Sequence, residues 1–342
     1  MEHPTRLETP AVIGSFWKRI FAMIADTLLL GAIGWLATFQ FADRLIAFGP
    51  NGRAIGLGVS LLYFGILNSS VGGGATPGKR LFGLRVVKRS GARVSLIRSV
   101  WRAIVYLVPI FLNGWFFALP PLAPWQEIAF STVDSTIVFG MELAMIYLYI
   151  ANVSTRQTLH DLVAGTFVVK ADSMGAPVAN RTHSVHLVVV SVWLLLFLAG
   201  IPLAWPMLKN FATSNPLGID IKGQTAVYQT VTAQPGVLSA QVNTNTFTSW
   251  SSGGKSETTT SLDVSANLDH AVTQEESRTA ADAIARRVLA VKPDILGQQE
   301  LGVTVRYGYD IGVWSQWQAY NYVDTPANWK SGKATRPSKK AK

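Results

Sequence analysis

The stretch Phe16–Phe41, FWKRIFAMIADTLLLGAIGWLATFQF, decides the fold class. It is long and apolar enough to span a bilayer as a helix, which takes about 20 residues. Yet Arg19 sits at its mouth and Asp26 lies inside it, seven residues on and therefore on the same helix face. A carboxylate at membrane depth costs roughly 2.5–3.5 kcal/mol on insertion scales, so it needs a partner or a task. The spacing makes Arg19 the expected charge partner of Asp26. Two roles are open: a structural pair or hydrogen-bonded carboxylate that holds the bundle, or a proton- or cation-binding site.

Composition supports the membrane reading. Of the 342 residues 49% are hydrophobic and only 15% charged, with a mean hydropathy of +0.26, whereas soluble domains carry nearer a quarter charged residues. There is no cysteine, which excludes disulfides, thiolate metal sites and covalently attached haem. Five scattered histidines make no histidine-rich metal site, and no cofactor is expected. The net charge of +10 is uneven: residues 208–342 hold 14 Lys/Arg against 11 Asp/Glu, and six of the 14 lie in Lys330–Lys342. No folded module presents a basic face, so nucleic acid is not an expected partner.

Four further apolar segments follow the first, at about Ala54–Ser70, Trp101–Leu119, Thr136–Val153 and Val185–Pro206. The N-terminal residues are polar and contain Glu2, Glu8 and two prolines, unlike a cleavable signal, so the first segment reads as a retained helix. Between the second and third segments, ATPGKRLFGLRVVKRSGARVSLIRSVWR carries eight Lys/Arg and no acid. Pro120–Ser135 carries no Lys/Arg and two acids. The positive-inside rule puts the basic loop and the N-terminus in the cytoplasm and, after five crossings, the chain from about residue 208 outside. Trp35, Trp115, Trp125 and Trp205 fall near segment ends, as interfacial aromatics do.

The outer part reads as a small α+β domain. Ser261–Leu268 alternates with Leu262, Val264, Ala266 and Leu268 on one face. Thr273 with Glu276 makes a capping box for a helix from about Gln274 to Val291, with Pro293 as a stop. Gly302–Tyr307 and Trp314–Val323 are two more expected strands, and Ser249–Thr260 a flexible hairpin connection. The expected organisation is a cytoplasmic segment 1–15, a four-helix transmembrane domain 16–173, a linker and fifth helix 174–207, the outer domain 208–329 and a basic disordered tail 330–342. The fold class is a membrane all-α bundle of about five helices with a C-terminal extracytoplasmic α+β domain.

Three further features carry chemistry. Glu142 lies in the fourth apolar segment without a cation at helical spacing; it is either a protonated membrane carboxylate or a residue near the outer interface. Gly73–Lys79, GGATPGK, matches the spacing of a phosphate-binding loop, but Arg80 stands where a metal-ligating hydroxyl is needed and no buried strand precedes it. It reads instead as a sharp helix exit through Gly74, Thr76, Pro77 and Gly78, with Lys79 and Arg80 at the lipid headgroups. In Arg156–Asp161, RQTLHD, His160 is placed to titrate near neutrality with Asp161 raising its pKa. No serine or cysteine motif accompanies it, so no catalytic residue is assigned and the chain is not expected to be an enzyme. The aromatics Trp314, Trp317, Tyr320, Tyr322 and Trp329 read as core or interface anchors, or else as a binding surface.

These motifs resemble the RDD family of bacterial membrane proteins, named for one arginine and two aspartates. FWKRIFAMIAD matches the family's first helix through Arg19 and Asp26, GATPGKRLFGLRVVKRSG its cytoplasmic turn, and RQTLHDLVAGTFVVK its last element. The resemblance makes Asp161 the second aspartate and covers about residues 15–170. It implies a bacterial inner-membrane location, and transport, including cation/proton antiport, has been proposed for some members. Two functions follow as expectations. One is an accessory or scaffold subunit whose outer domain docks a membrane-protein partner; the other is a transporter, working as a homo-oligomer and using Asp26, with Glu142 or Asp161 as a second protonation site.

Overall fold

The computed structural model describes residues 11–115, 123–173, 175–177, 182–214, 221–250, 256–292 and 300–332. The expectations for residues 1–10, for the tail beyond 332 and for the centre of the 249–260 connection lie outside the described residues. The chain forms two compact units. One comprises Met1–Leu36, Arg53–Lys209 and Ile311–Trp314; the other comprises Ala37–Gly52, Asn210–Asp310 and Ser315–Lys342.

A helix forms over each of the five apolar segments. They are α1 (Phe16–Phe48), α2 (Arg53–Leu67), α4 (Leu96–Leu112), a continuous run of α5 (Pro124–Ser135), a π-helical turn (Thr136–Met141) and α6 (Glu142–Ala151), and α8 (Ser184–Ser214). Among the described residues, three helical stretches are long and apolar enough to cross a membrane: Phe16–Phe48, Trp125–Ala151 and Ser184–Phe211. The α2 helix is apolar but has 15 residues, and α4 has 17 and carries Arg98 and Arg102. Ala103, Leu107 and Phe111 of α4 pack against Leu57, Leu61 and Phe64 of α2, the 3–4 residue spacing of a helix stripe. Ala144 and Leu148 of α6 pack against Val190 of α8.

The all-α expectation for this unit needs correction. Two short helices, α3 (Pro77–Leu81) and α7 (Leu159–Ala164), each lead into a strand, β1 (Leu84–Lys88) and β2 (Thr166–Lys170). The strands pair antiparallel with Val86 opposite Val168, and Ile13 bridges to Val169 on the far side of β2. Alternation explains why so small a sheet holds. Leu84, Val86 and Val168 pack on Ala22 of α1 and Val94, while Val87, Phe167 and Val169 pack on Ala11 and Ile13. The basic loop and the RQTLHD segment are thereby brought together beneath α1.

The second unit is an αββαββ arrangement of α9 (Ile221–Thr232), β3 (Val237–Trp250), β4 (Ser256–Leu268), α10 (Gln274–Val291), β5 (Glu300–Asp310) and β6 (Ser315–Asp324), closed by α11 (Pro326–Ser331). The sheet order is β3-β4-β5-β6; β4 and β5 are parallel across the α10 crossover and the other pairs antiparallel. Register separates the faces. The row Val242, Val264, Val303, Tyr322 and the row Ala240, Ala266, Val305, Tyr320 join the core with Val227 and Val231 of α9 and Ala281, Ile284, Ala285 and Val288 of α10. The alternate rows are polar, among them Gln241, Ser265, Thr304 and Asn321. Thr273 caps α10 with Glu276 in a reciprocal box, as the sequence signature requires. Tyr322 and Trp329 are core residues, and the Trp329 indole donates to the Leu301 carbonyl at 2.9 Å.

Candidate functional site

The first cluster gathers on Asp26, which is buried to 1% exposure in the middle of α1. Its partners come from α2 and from the turn before α3. The Tyr63 hydroxyl donates to Oδ1 at 2.7 Å, the Gly78 backbone N–H to Oδ1 at 2.8 Å and the Thr76 hydroxyl to Oδ2 at 2.5 Å. The first three residues of the TPGKR motif each have a local reason. Thr76 is the N-cap of α3, Pro77 fits the first helical position because no N–H is needed there, and Gly78 lets backbone meet backbone. A Cβ on Gly78 would stand 2.3 Å from the Ala22 carbonyl and 2.7 Å from Asp26 Oδ1. Gly74 ties the turn to β1 through its carbonyl, which accepts from Val86 N at 2.7 Å. Asp26 is thus an anchor for the turn.

The second cluster gathers on Asp161, fully buried in α7. Arg19 donates to Oδ2 through Nη2 at 2.9 Å, Arg102 of α4 to Oδ1 through Nε at 2.8 Å, and the Thr166 hydroxyl to Oδ1 at 2.9 Å. The other Arg19 terminal nitrogen donates to the Arg156 carbonyl. Arg156 has φ 52°, a left-handed backbone uncommon for a residue with a side chain, and the turn it makes presents that carbonyl to Arg19. Gly165, at φ 61°, ends α7 in the left-handed conformation, and Thr166 follows directly into β2. The expected Arg19–Asp26 pairing is therefore replaced: the arginine that opens α1 pairs with the carboxylate of the distant RQTLHD segment.

The burial of these groups sets their ionisation. Burial alone would raise the Asp161 carboxyl, but Arg102, His160 and Arg19 outweigh it and hold the group well below the usual carboxylate range. Burial, reinforced by the Arg102 charge, pushes the His160 imidazole down to about 3 against the attraction of Asp161. This corrects the expectation of a histidine titrating near neutrality. His160 is a neutral core group, edge-on to the Tyr106 ring with centroids 5.0 Å apart and hydrogen-bonded to the Thr158 hydroxyl.

Both clusters border one cavity of about 540 Å³ between α1, α4, α6 and α7. Arg19, Asp26, Lys79, Arg102, His160 and, farther along α6, Glu142 line it, amid mostly apolar walls. Lys79 departs from its expected place at the headgroups. Its ammonium turns into this cavity, 5.6 Å from the centroid of the Phe64 ring and 3.4 Å from Thr76 Oγ1. Burial and the nearby Arg102 push Lys79 down to about 7. Arg80 stays exposed and donates to the Gly72 and Ala75 carbonyls. Glu142 opens α6 directly after the π-helical turn, half-buried, and accepts from Asn113 Nδ2 at 3.3 Å. Among the described residues no cluster of three or more His, Asp and Glu has metal-binding geometry.

The sequence of this region matches a known family. The RDD family model covers residues 13–165, which hold the turn, both aspartates and Arg19. The chain carries an RDD-family domain. The uncharacterized protein YckC of Bacillus subtilis (strain 168) is 28% identical over 160 residues, 46% of this chain and 83% of YckC. No solved structure gives a significant match. The three residues that name the RDD domain fall in two separate clusters, one aspartate in each, and the arginine belongs with the second aspartate.

Four RDD-domain partners escaped the sequence reading: Tyr63, Arg102, Tyr149 and Thr166. Arg102 had a usable signal, since it stands one residue inside the apolar segment that begins at Trp101 and is as anomalous there as Arg19 is in its own. Tyr149, whose ring lies 5.7 Å from the Arg19 guanidinium, and Tyr63 look like ordinary members of apolar helices. Nothing in their spacing marks them.

Proposed function

We propose that this membrane protein is a non-enzymatic accessory subunit of a bacterial inner-membrane assembly. In this reading the N-terminus and the α3–β1 and α7–β2 elements are cytoplasmic, α2 and α4 complete five crossings, and the C-terminal domain lies outside and docks a protein partner. The observation that carries the reading is the fate of the RDD motif. Arg19, Asp26 and Asp161 each have fixed partners, and together they fasten α1, α2, α4 and two cytoplasmic turns into one piece. A coupling carboxylate has to exchange its partners during a cycle, and one that accepts three short hydrogen bonds at 1% exposure is built for permanence. The polar, half-exposed rows of the C-terminal sheet support docking, because among the described residues α9 and α10 pack on the opposite, apolar face. Purification in mild detergent followed by mass spectrometry tests this. A stoichiometric protein partner is expected, and a homo-oligomer with no partner contradicts it.

Transport is the second reading, favoured by the cavity and by Glu142 on its wall. There the ionisable group is Glu142 and Asp26 is scaffold. Reconstituted Glu142→Gln protein that loses a pH-driven cation flux retained by Asp26→Asn would replace the accessory reading with this one. Loss of the flux in Asp26→Asn alone would restore antiport at Asp26.

A further inference from the structure

The cavity of the RDD domain has an unequal distribution of charge and apolar surface. At its floor stand three cationic side chains, Arg19, Lys79 and Arg102, of which two share the single carboxylate of Asp161. Asp26 faces the same space, but its oxygens are taken by a phenol, a hydroxyl and a backbone N–H. Arg102 is more than nine-tenths buried and pairs with Asp161 through Nε only; its two terminal nitrogens make no hydrogen bond among the described residues. The Lys79 ammonium has the long Thr76 contact and a ring face. Both sets of donors face the cavity and are open to a charge-assisted hydrogen bond from an acceptor that enters it.

The rest of the cavity is apolar. Phe16, Ile20 and Met23 of α1, Ile110 of α4 and Ile146 and Ile150 of α6 form the walls. Several of these are open on their outer side: Met23 is 43% exposed, Ile146 55% and Ile150 65%. All lie on helices whose exterior is apolar, so the mouth opens where acyl chains would be. A volume of about 540 Å³ is within the roughly 300–1,000 Å³ typical of small-molecule sites and far exceeds what an inorganic anion fills.

We propose that this cavity binds one amphiphile per chain, with an anionic head held by the Arg102 terminal nitrogens and the Lys79 ammonium and an acyl chain leaving between α1 and α6. Guanidinium and ammonium together select a carboxylate or phosphate over a zwitterionic head, and the apolar walls select an acyl chain over a free anion. The shared chemistry fits a free fatty acid or an anionic phospholipid. The site stands independently of whether the C-terminal domain docks a partner.

The test uses the full-length chain in a neutral detergent, titrated by calorimetry with oleate, dihexanoyl phosphatidylglycerol and dihexanoyl phosphatidylcholine. Binding of either anionic probe at one per chain, at least tenfold tighter than phosphatidylcholine, is the expected result. Preference for oleate assigns a free fatty acid, preference for phosphatidylglycerol a bilayer lipid. Lys79→Gln should weaken anionic binding tenfold or more, and Ile146→Trp should block it from the mouth, both with an unchanged melting temperature. Equal binding of the zwitterionic probe, no binding of either anion, or wild-type affinity in both variants overturns the proposal. Should either variant fail to fold, the selectivity of the unaltered chain still decides it.

Discussion

Asp26 and Asp161 solve one problem in different ways. Each is a buried carboxylate with three hydrogen-bond donors, yet Asp26 collects a phenol, a hydroxyl and a backbone N–H, and Asp161 collects two guanidinium groups and a hydroxyl. The first cluster orders a turn; the second joins three elements distant in sequence. The difference is one of what remains when the carboxylate is lost. Without Asp26 the donors left behind are neutral, whereas without Asp161 two cations are stranded in a buried site.

The largest effect should therefore come from Asp161→Asn. Breaking a buried pair by removing one partner costs about 3–5 kcal/mol, and we expect the melting temperature in detergent to collapse or the protein not to accumulate. Gly78→Ala should follow at about 1–3 kcal/mol, because the added methyl meets the Ala22 carbonyl and Asp26 within contact distance. If it is neutral, the α3 turn is not docked on α1 as described. Tyr63→Phe, which removes one neutral donor from Asp26, should cost only about 0.5–1.5 kcal/mol in the same melt. A larger loss than for Gly78→Ala would invert the account of that cluster.

Acid sharpens the contrast further. His160 has its folded pKa depressed to about 3, below its ordinary value of 6.5. The unfolded chain then binds more protons in that interval, so the stability conferred by neutral His160 is complete above about pH 6.5 and is lost as pH falls toward 3. Asp161 shifts in the same direction, and its contribution is lost only in stronger acid. Melting temperatures from pH 7 to 4 should fall for the unaltered chain and less steeply for His160→Gln. Parallel curves would show that His160 titrates as an exposed histidine.

The sequence was more legible where physics is local. Five apolar runs mark five helices, and the α10 capping box and the alternation in β4 and β5 are visible residue by residue. β3 hides because its inward positions Ala240 and Val242 are small, run on into Thr244, and are interleaved with Ser239, Gln241 and Asn243 of the polar face. β1 and β2 are five residues each; β1 sits in a strongly basic loop, and β2 continues the apolar run Leu162–Val169 that begins inside α7. Arg19 and Asp26 are legible as charges inside an apolar segment and Asp161 through the family resemblance, but their pairing is not. Seven residues on one helix made Arg19 and Asp26 look like partners, and only the docking of α7 brings Asp161, 142 residues away, to the arginine. Helical spacing reports which residues share a face and nothing of what the opposite surface supplies.

The central claim is this rewiring, and a pair of double-mutant cycles tests it most directly. Arg19→Gln is combined with Asp161→Asn in one cycle and with Asp26→Asn in the other, with unfolding free energy in detergent as the readout. We expect a coupling energy of about 1–3 kcal/mol between Arg19 and Asp161, and near-additivity between Arg19 and Asp26. Strong coupling of Arg19 to Asp26 with additivity toward Asp161 would contradict the structure of the site.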